Sequence, residues 1–327
     1  VCAGRYRVGV PDGPPSRRRP LAVAALALTA AAGAGVVAAV ARDADPPPPP
    51  PATAAQVRAL LGDPRPGEGV SGVIQVDQSV VPGSSLARFA LPDGSVRGRF
   101  WVLAPDRWRV ELQGTGHDWQ IVREGGTVSV YWDGGQTRYE IPASLLPASV
   151  ASIGPVRVSA PRPTVQAGRP AHEVVYRPVA PGSLVRAVRV TADAATGVPL
   201  ALRIDSTRTD TPVLDVRATS VDTGGVDPRA VRLDPPATAS TVRVGTLLQA
   251  GLGLGAVTVL GRGWERAVRL PAGAVPDALR GALGGVGGAG VGGVTETPLL
   301  TALVTGSPEA LVVGPVTAPT LRRLAGD

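Results

Sequence analysis

Apolar side chains recur at every second position through much of the first half of the chain. Val96, Gly98, Phe100 and Val102 alternate with Arg97, Arg99 and Trp101. Trp108, Val110 and Leu112 alternate with Arg107, Arg109 and Glu111, and Val128, Val130 and Trp132 with Thr127, Ser129 and Tyr131. A period of two places one set of side chains on each face of an extended strand, so these segments read as half-buried strands. Turn chemistry separates them: Pro92-Asp93-Gly94, Ala104-Pro105-Asp106, Glu124-Gly125-Gly126 and Asp133-Gly134-Gly135. Short strands joined by tight turns make an antiparallel meander. A second series comes after it in 171–177, 184–192, 200–205 and 213–220, where Leu200, Leu202 and Ile204, then Leu214, Val216 and Ala218, form the apolar sets. The pattern predicts one sheet of about eight strands.

Helical signals are few. Residues 53–62 begin with a capping threonine, carry Val57, Leu60 and Leu61 as a stripe, and stop at Gly62 and Pro64. Residues 143–153 are the other helical candidate nearby. A large sheet that is wet on one side twists and must cover its apolar face. The expected fold is therefore mainly β within the α+β class: a large curved antiparallel sheet, an open half-barrel, with a helical lid over an apolar hollow. The inward positions Phe100, Val102, Trp108, Val110, Val128, Val130 and Trp132 are the candidate ligand-binding lining of that hollow.

Beyond Val242 alternation yields to Gly245, Gly251, Gly253 and Gly255. Strands are expected at 256–260 and 265–270, a helix at 275–283, a glycine-rich tract at 284–293, a hairpin from 300–305 and 310–316, and a closing helix at 317–324. This divides the chain into a domain at 53–245 and a small α+β domain at 246–327.

The first residues obey another logic. Residues 1–20 are a basic region containing Arg17, Arg18 and Arg19. Residues 21–41 are uncharged, and 42–52 form a proline-rich spacer. As a helix, 21–41 would reach about 31 Å, close to the thickness of a bilayer core. Ala39-Val40-Ala41 also offers a small-x-small cleavage site, so a transmembrane anchor and a cleaved signal peptide both remain open. Positive charge ahead of the apolar stretch places the residues beyond it outside the cytoplasm: a single-pass protein of the cell membrane with its C-terminal part extracytoplasmic, or a secreted one after cleavage.

Composition narrows the function. The formal charge of +7 comes from 33 basic residues against 26 acidic ones, and every basic residue is arginine. The arginines are spread along the chain without a basic stripe, which disfavours a nucleic-acid partner. One cysteine, Cys2, and two histidines rule out an ordinary Cys/His zinc site, and no cofactor is expected. There is no G-x-S-x-G elbow. His117-Asp118 comes after a Gly-Thr-Gly turn and lacks a nucleophile, His172 heads a strand as a structural side chain, and 285–290 matches G-x-G-x-x-G only inside a glycine tract after a helix. Asp205, Asp210 and Asp215 do not have calcium-loop spacing. The expectation is a protein that is not an enzyme.

Several strings carry a resemblance. GRFWVLAPDRWRVE at 98–111 and IVREGGTVSVY at 121–131, then AGRPAHEVVYRP at 167–178, SLVRAVRVTADAATGVPLALRI at 183–204 and VDPRAVRLDPPATASTV at 226–242, are similar in order and spacing to the LolA/RseB-like (MucB-type) envelope proteins, in their actinobacterial LolA-like branch. The resemblance spans 53–245 and, more loosely, the C-terminal part. It implies an open half-barrel whose concave face takes the acyl chains of lipids or lipoproteins. It also implies a second role, that of an RseB-like regulator that binds an anti-sigma factor or other membrane protein and senses envelope stress. The family offers no catalytic residues to carry over.

Overall fold

The structure is a computed structural model that describes residues 45–80, 94–114, 118–133, 136–233, 235–243, 258–271, 292–306 and 309–326. Strands dominate, and they form two sheets. The first is 13-stranded, built from β1 (Val70–Gln78), β2 (Gly94–Ala104), β3 (Arg107–Gln113), β4 (Asp118–Glu124), β5 (Thr127–Trp132), β6 (Thr137–Pro142), β7 (Val156–Val158), β8 (Arg162–Gln166), β9 (Arg169–Pro178), β10 (Val185–Asp193), β11 (Pro199–Ser206), β12 (Pro212–Asp222) and β13 (Ser240–Arg243). Their order across the sheet is β13-β6-β5-β4-β3-β2-β1-β12-β11-β10-β9-β7, with β8 also on β9. The sheet does not close into a barrel, because β13 and β7 remain at its two ends.

Three expectations are corrected. The sheet has more strands than the alternation suggested, since β4 and β6 sit among the segments read from sequence and β7, β8 and β13 extend the edges. It is antiparallel throughout except at one edge, where β13 joins β6 in parallel, Ser240 opposite Thr137 and Arg243 opposite Glu140. The helix expected at 143–153 is broken in two. Ala143–Leu145 makes a single 3-10 turn, Leu146 is extended (φ −96°, ψ 145°), and only Val150–Ile153 is α-helical (α2). Pro147 explains the break, because it supplies no amide donor and forces its predecessor out of the helical region. Ser149 then caps the new turn in a reciprocal pair with Ser152.

Among the described residues, the helical lid consequently reduces to α1 (Ala54–Gly62), which lies on β9 and β10. Thr53 and Gln56 form its capping box, and Val57 is its fully buried contact with the core. Its C-terminal end rests on the β10–β11 turn, where the amide of Arg65 donates to the Thr196 carbonyl at 2.7 Å.

Curvature is visible in one hydrogen bond. The side-chain amide of Gln166, at the end of β8, donates to the carbonyl of Ala218 on β12 at 2.6 Å. Strands β9, β10 and β11 lie between them, and a flat sheet would hold the two about 19 Å apart. Ala167 in the same turn packs on the main core, so this end rolls over the apolar face.

The second sheet is 5-stranded, in the order β14-β15-β18-β17-β16, from β14 (Thr258–Arg262), β15 (Glu265–Pro271), β16 (Val294–Glu296), β17 (Thr301–Gly306) and β18 (Glu309–Gly314). Helix α3 (Ala318–Ala325) closes one face, with Leu321 buried against Ala267, Leu303 and Val312. The two sheets are fastened together. Ser183 bridges Val316, and the Leu184 amide donates to the Pro315 carbonyl at 2.8 Å. Arg208 reaches from the β11–β12 turn to the carbonyls of Thr297 (2.7 Å) and Leu300 (3.2 Å), the Thr301 hydroxyl (2.9 Å) and the Glu296 carboxylate. Trp264 and Leu299 from the second sheet belong to the core of the first.

Residues 1–44 lie outside the described residues, and with them the expected membrane or signal segment at 21–41. So do the expected helix at 275–283, the G-x-G-x-x-G match and His117. Among the described residues, no helix is long and apolar enough to cross a membrane.

Candidate functional site: the apolar face of the large sheet

Register brings the sequence-derived lining together in rows. Phe100 faces Val110, which faces Ile121, then Val130, then Tyr139. In the next row Val70 faces Val102, then come Trp108, Arg123, Val128 and Ile141. A third row runs from Leu112 to Trp119 and Trp132. Partners directly across an antiparallel pair share a face, so Phe100, Val102, Trp108, Val110, Val128, Val130 and Trp132 occupy one surface. All but Trp132 are buried; Trp132 keeps some exposure and stacks on Trp119 with centroids 5.6 Å apart at 17°.

The surface continues through Ile74 and Val76 on β1 and Leu214 and Ala218 on β12. It then runs across Leu202 and Ile204 on β11 and Val188 and Val190 on β10 to Val174 and Tyr176 on β9. Two phenols register its dryness. Burial pushes the Tyr139 hydroxyl up to about 12, and it raises Tyr176 as well, with the charge of Arg58 on α1 opposing the rise. A low-dielectric surround disfavours phenolate in both places.

The cover differs along the face. Over β9 and β10 it is helix α1. Elsewhere Leu146, Val150 and Ile153 from the broken connection, together with Trp264 and Leu299, pack against the cluster. Among the described residues, no helix longer than α2 lies over the β2–β6 half.

Sequence reasoning missed Trp119, Ile121, Tyr139 and Ile141. The signal for β6 was present, since Thr137, Tyr139 and Ile141 alternate with Arg138 and Glu140. In β4 it was blurred by Val122, an apolar residue on the opposite face that is itself buried. Arg123 was also missed: it is the one charged side chain set between Trp108 and Val128 on the apolar face, and its Nε donates to the Gly125 carbonyl at 3.3 Å near the rim.

The opposite face is polar. Arg217 bridges Asp77 (2.7 Å) and Asp215 (3.0 Å), Asp205 receives Arg189 and Arg203, and Arg138 and Arg243 share Glu140. Arg109 lies 5.7 Å from the Trp101 ring centroid and donates to the Arg232 carbonyl at 2.6 Å, so the stretch after β12 passes over this side. Among the described residues, no group of His, Cys, Asp and Glu could hold a metal ion.

No family model matches the sequence, and no curated protein does. Solved structures do. The chain is similar to MucB and to LolA-superfamily proteins. The MucA/MucB complex of Pseudomonas aeruginosa matches at TM-score 0.48 and 18% identity, covering 83% of this chain and 96% of that one. A second MucB structure matches at 0.45 and 16%, over 83% and 96%. A LolA-superfamily protein of Nitrosomonas europaea matches at 0.30 and 6%, over 56% and 99%.

Proposed function

We propose that this chain is a non-catalytic envelope protein of the LolA/RseB type, which takes acyl chains of lipids or lipoproteins against the apolar face of its large sheet. One observation carries the reading: among the described residues, a continuous apolar surface from β6 to β9 is served by one nine-residue helix, short turns, and Trp264 and Leu299 from the second sheet's connections. A sheet packed for stability alone is normally covered by whole helices or a second sheet. A cover of short pieces can be displaced by a chain-like ligand at lower cost, and apolar concavities are the usual sites for such ligands. The resemblance of the sequence strings supports the same reading. Residues 46–327 are extracytoplasmic in this reading, on the strength of Arg17, Arg18 and Arg19.

Mass spectrometry of lipids extracted from the purified full chain tests it. Co-purifying acyl species, absent from a Trp132→Arg variant with an unchanged thermal midpoint, are expected. A lipid-free protein that also fails to take up added lipid would refute the reading.

A second reading has its own observation. The small sheet is held to the large one by the Arg208 cluster and the Ser183–Val316 bridge, and two sheets joined in this way suit a regulator that grips an anti-sigma factor or another membrane protein. Crosslinking in membranes, with identification of the captured protein, separates this role from transport.

A further inference from the structure

We infer that the edge strand β7 is a docking site for an acidic, extended segment of a protein partner, added as a further strand beside it on the side away from β9. Arg157 on β7 stands directly opposite Arg177 on β9, and both side chains are exposed on the polar face. Directly opposed like charges, about 5 Å apart at Cβ, destabilise a strand pair. Nothing compensates them among the described residues. The neighbouring acids are engaged elsewhere: Glu173 with Arg162 at 3.2 Å, and Asp205 with Arg189 and Arg203 at 3.1 and 3.0 Å. This contrasts with the middle of the same face, where arginine and acid alternate in pairs.

Val179 follows β9 directly, two residues beyond Arg177, and is 51% exposed, one of two large hydrophobic side chains left so open among the described residues. The backbone completes the site. The Ser159 amide donates to the Val175 carbonyl and the Val179 amide to the Pro155 carbonyl, so the odd-numbered positions of β7 face β9. The amides and carbonyls of Val156 and Val158 therefore point to the free side, where no strand pairs among the described residues.

An incoming strand would bond to these groups and set an acidic side chain across from Arg157, from where the long Arg177 side chain can reach it across β7. Strand addition of this kind takes affinity from the main chain and selectivity from alternate side chains. The same charge excludes a second copy of this chain, because Arg157 would then meet Arg157, and charged edge strands resist self-pairing for that reason. These residues lie on the face opposite the proposed acyl-chain surface, so either idea can fail alone.

The test uses the full chain and a short fluorescein-labelled peptide that alternates glutamate with threonine and valine. Saturable, salt-weakened binding is expected, with slowed amide exchange at 156–158. The Arg157→Glu, Arg177→Glu double variant should bind about tenfold more weakly or worse. Arg157→Glu alone should raise the thermal midpoint while weakening binding, which separates the charge effect from misfolding. A proline at the centre of the peptide should abolish binding. Absence of saturable binding, equal affinity for the double variant, or equal binding of the proline peptide would each overturn the inference. So would tighter, arginine-dependent binding to phosphatidylglycerol vesicles, which would make a membrane surface the occupant.

Discussion

The indole N–H of Trp264 donates to the carbonyl of Gly154 at 3.3 Å, joining the β14–β15 turn of the small sheet to the connection that covers the large one. Trp264 is buried in the core of the large sheet, and a Cβ at Gly154 would lie 2.9 Å from the Gly263 Cα and 3.2 Å from the Trp264 ring. Trp264→Ala removes this bond and leaves a cavity, for about 3–5 kcal/mol of stability. Chemical denaturation of the full chain checks it.

The same contact bears on domain organisation. We propose that residues 53–245 form a folding unit of their own, which would lack the plug that Trp264 and Leu299 provide and the bonds of Ser183, Leu184 and Arg208 to the second sheet. A chain ending at residue 245 should unfold cooperatively at a lower midpoint than the full chain. A broad, non-cooperative transition would mean that both sheets fold as one unit.

Gly98 occupies an inward place on β2 where no side chain fits. A Cβ there would meet the Glu111 carbonyl oxygen at 2.2 Å, a Leu112 methyl at 2.7 Å and Ile74 at 2.9 Å. These contacts belong to the neighbouring strands β3 and β1, so relief requires moving backbone. Gly98→Ala should cost about 2–4 kcal/mol, an overpacking effect, and lower the thermal midpoint, whereas Gly126→Ala, which meets nothing within 4 Å, should not.

His172 gives the fold a pH dependence near neutrality. Its side chain is buried on β9, Nδ1 has no hydrogen-bond partner, and burial lowers its pKa below 6.5. Above pH 6.5 both folded and unfolded chains hold a neutral imidazole. As pH falls through 6.5 the unfolded chain gains a proton that the folded chain refuses, so stability declines until the folded value is passed, by at most about 1.4 kcal/mol per pH unit. Denaturant midpoints measured down from pH 7.5 should show this slope, and His172→Leu should flatten it.

Asp193 acts at the acid end. Burial alone would raise its pKa; hydrogen bonds from Arg169 and from the Thr196 amide and hydroxyl, with the charge of Arg169, outweigh burial and hold it below 3.8. Its contribution is present above that value and is lost as pH falls below it. Asp193→Asn leaves Arg169 without its carboxylate at a buried turn and should cost about 3 kcal/mol at pH 7, with a weaker loss of stability on acidification than in the parent chain.

Much of this architecture was written in the period-two alternation. β2, β3 and β5 were legible because Arg, Thr and Ser mark their polar face. β4 was obscured because Val122 is buried on the polar side, so both faces of the strand look apolar. β13 was hidden for another reason: its partner β6 is distant in sequence and parallel, and a four-residue edge strand has too few positions to show a period. The 143–153 stretch misled because its apolar spacing suits a helix while Pro147 interrupts it. The shared face of Phe100, Val102, Trp108, Val110, Val128, Val130 and Trp132 was legible from their alternation, whereas Trp119, Ile121, Tyr139 and Ile141 were missed and the cover was not legible, since that depends on how Leu146, Ile153, Trp264 and Leu299 converge from separate segments. The arginine pair at 157 and 177 likewise exists only in the register.

Tryptophan quenching tests most directly whether acyl chains lie against the apolar face. Trp132 stands on that face and Trp101 on the opposite one, so two variants, each retaining one of them with phenylalanine at the other tryptophan positions, report on the two sides separately. With a stearic acid carrying a spin label on its chain, saturable quenching of Trp132 and little of Trp101 is the predicted result. Equal quenching of both, or of neither at concentrations where the lipid binds, would contradict acyl-chain binding at this face.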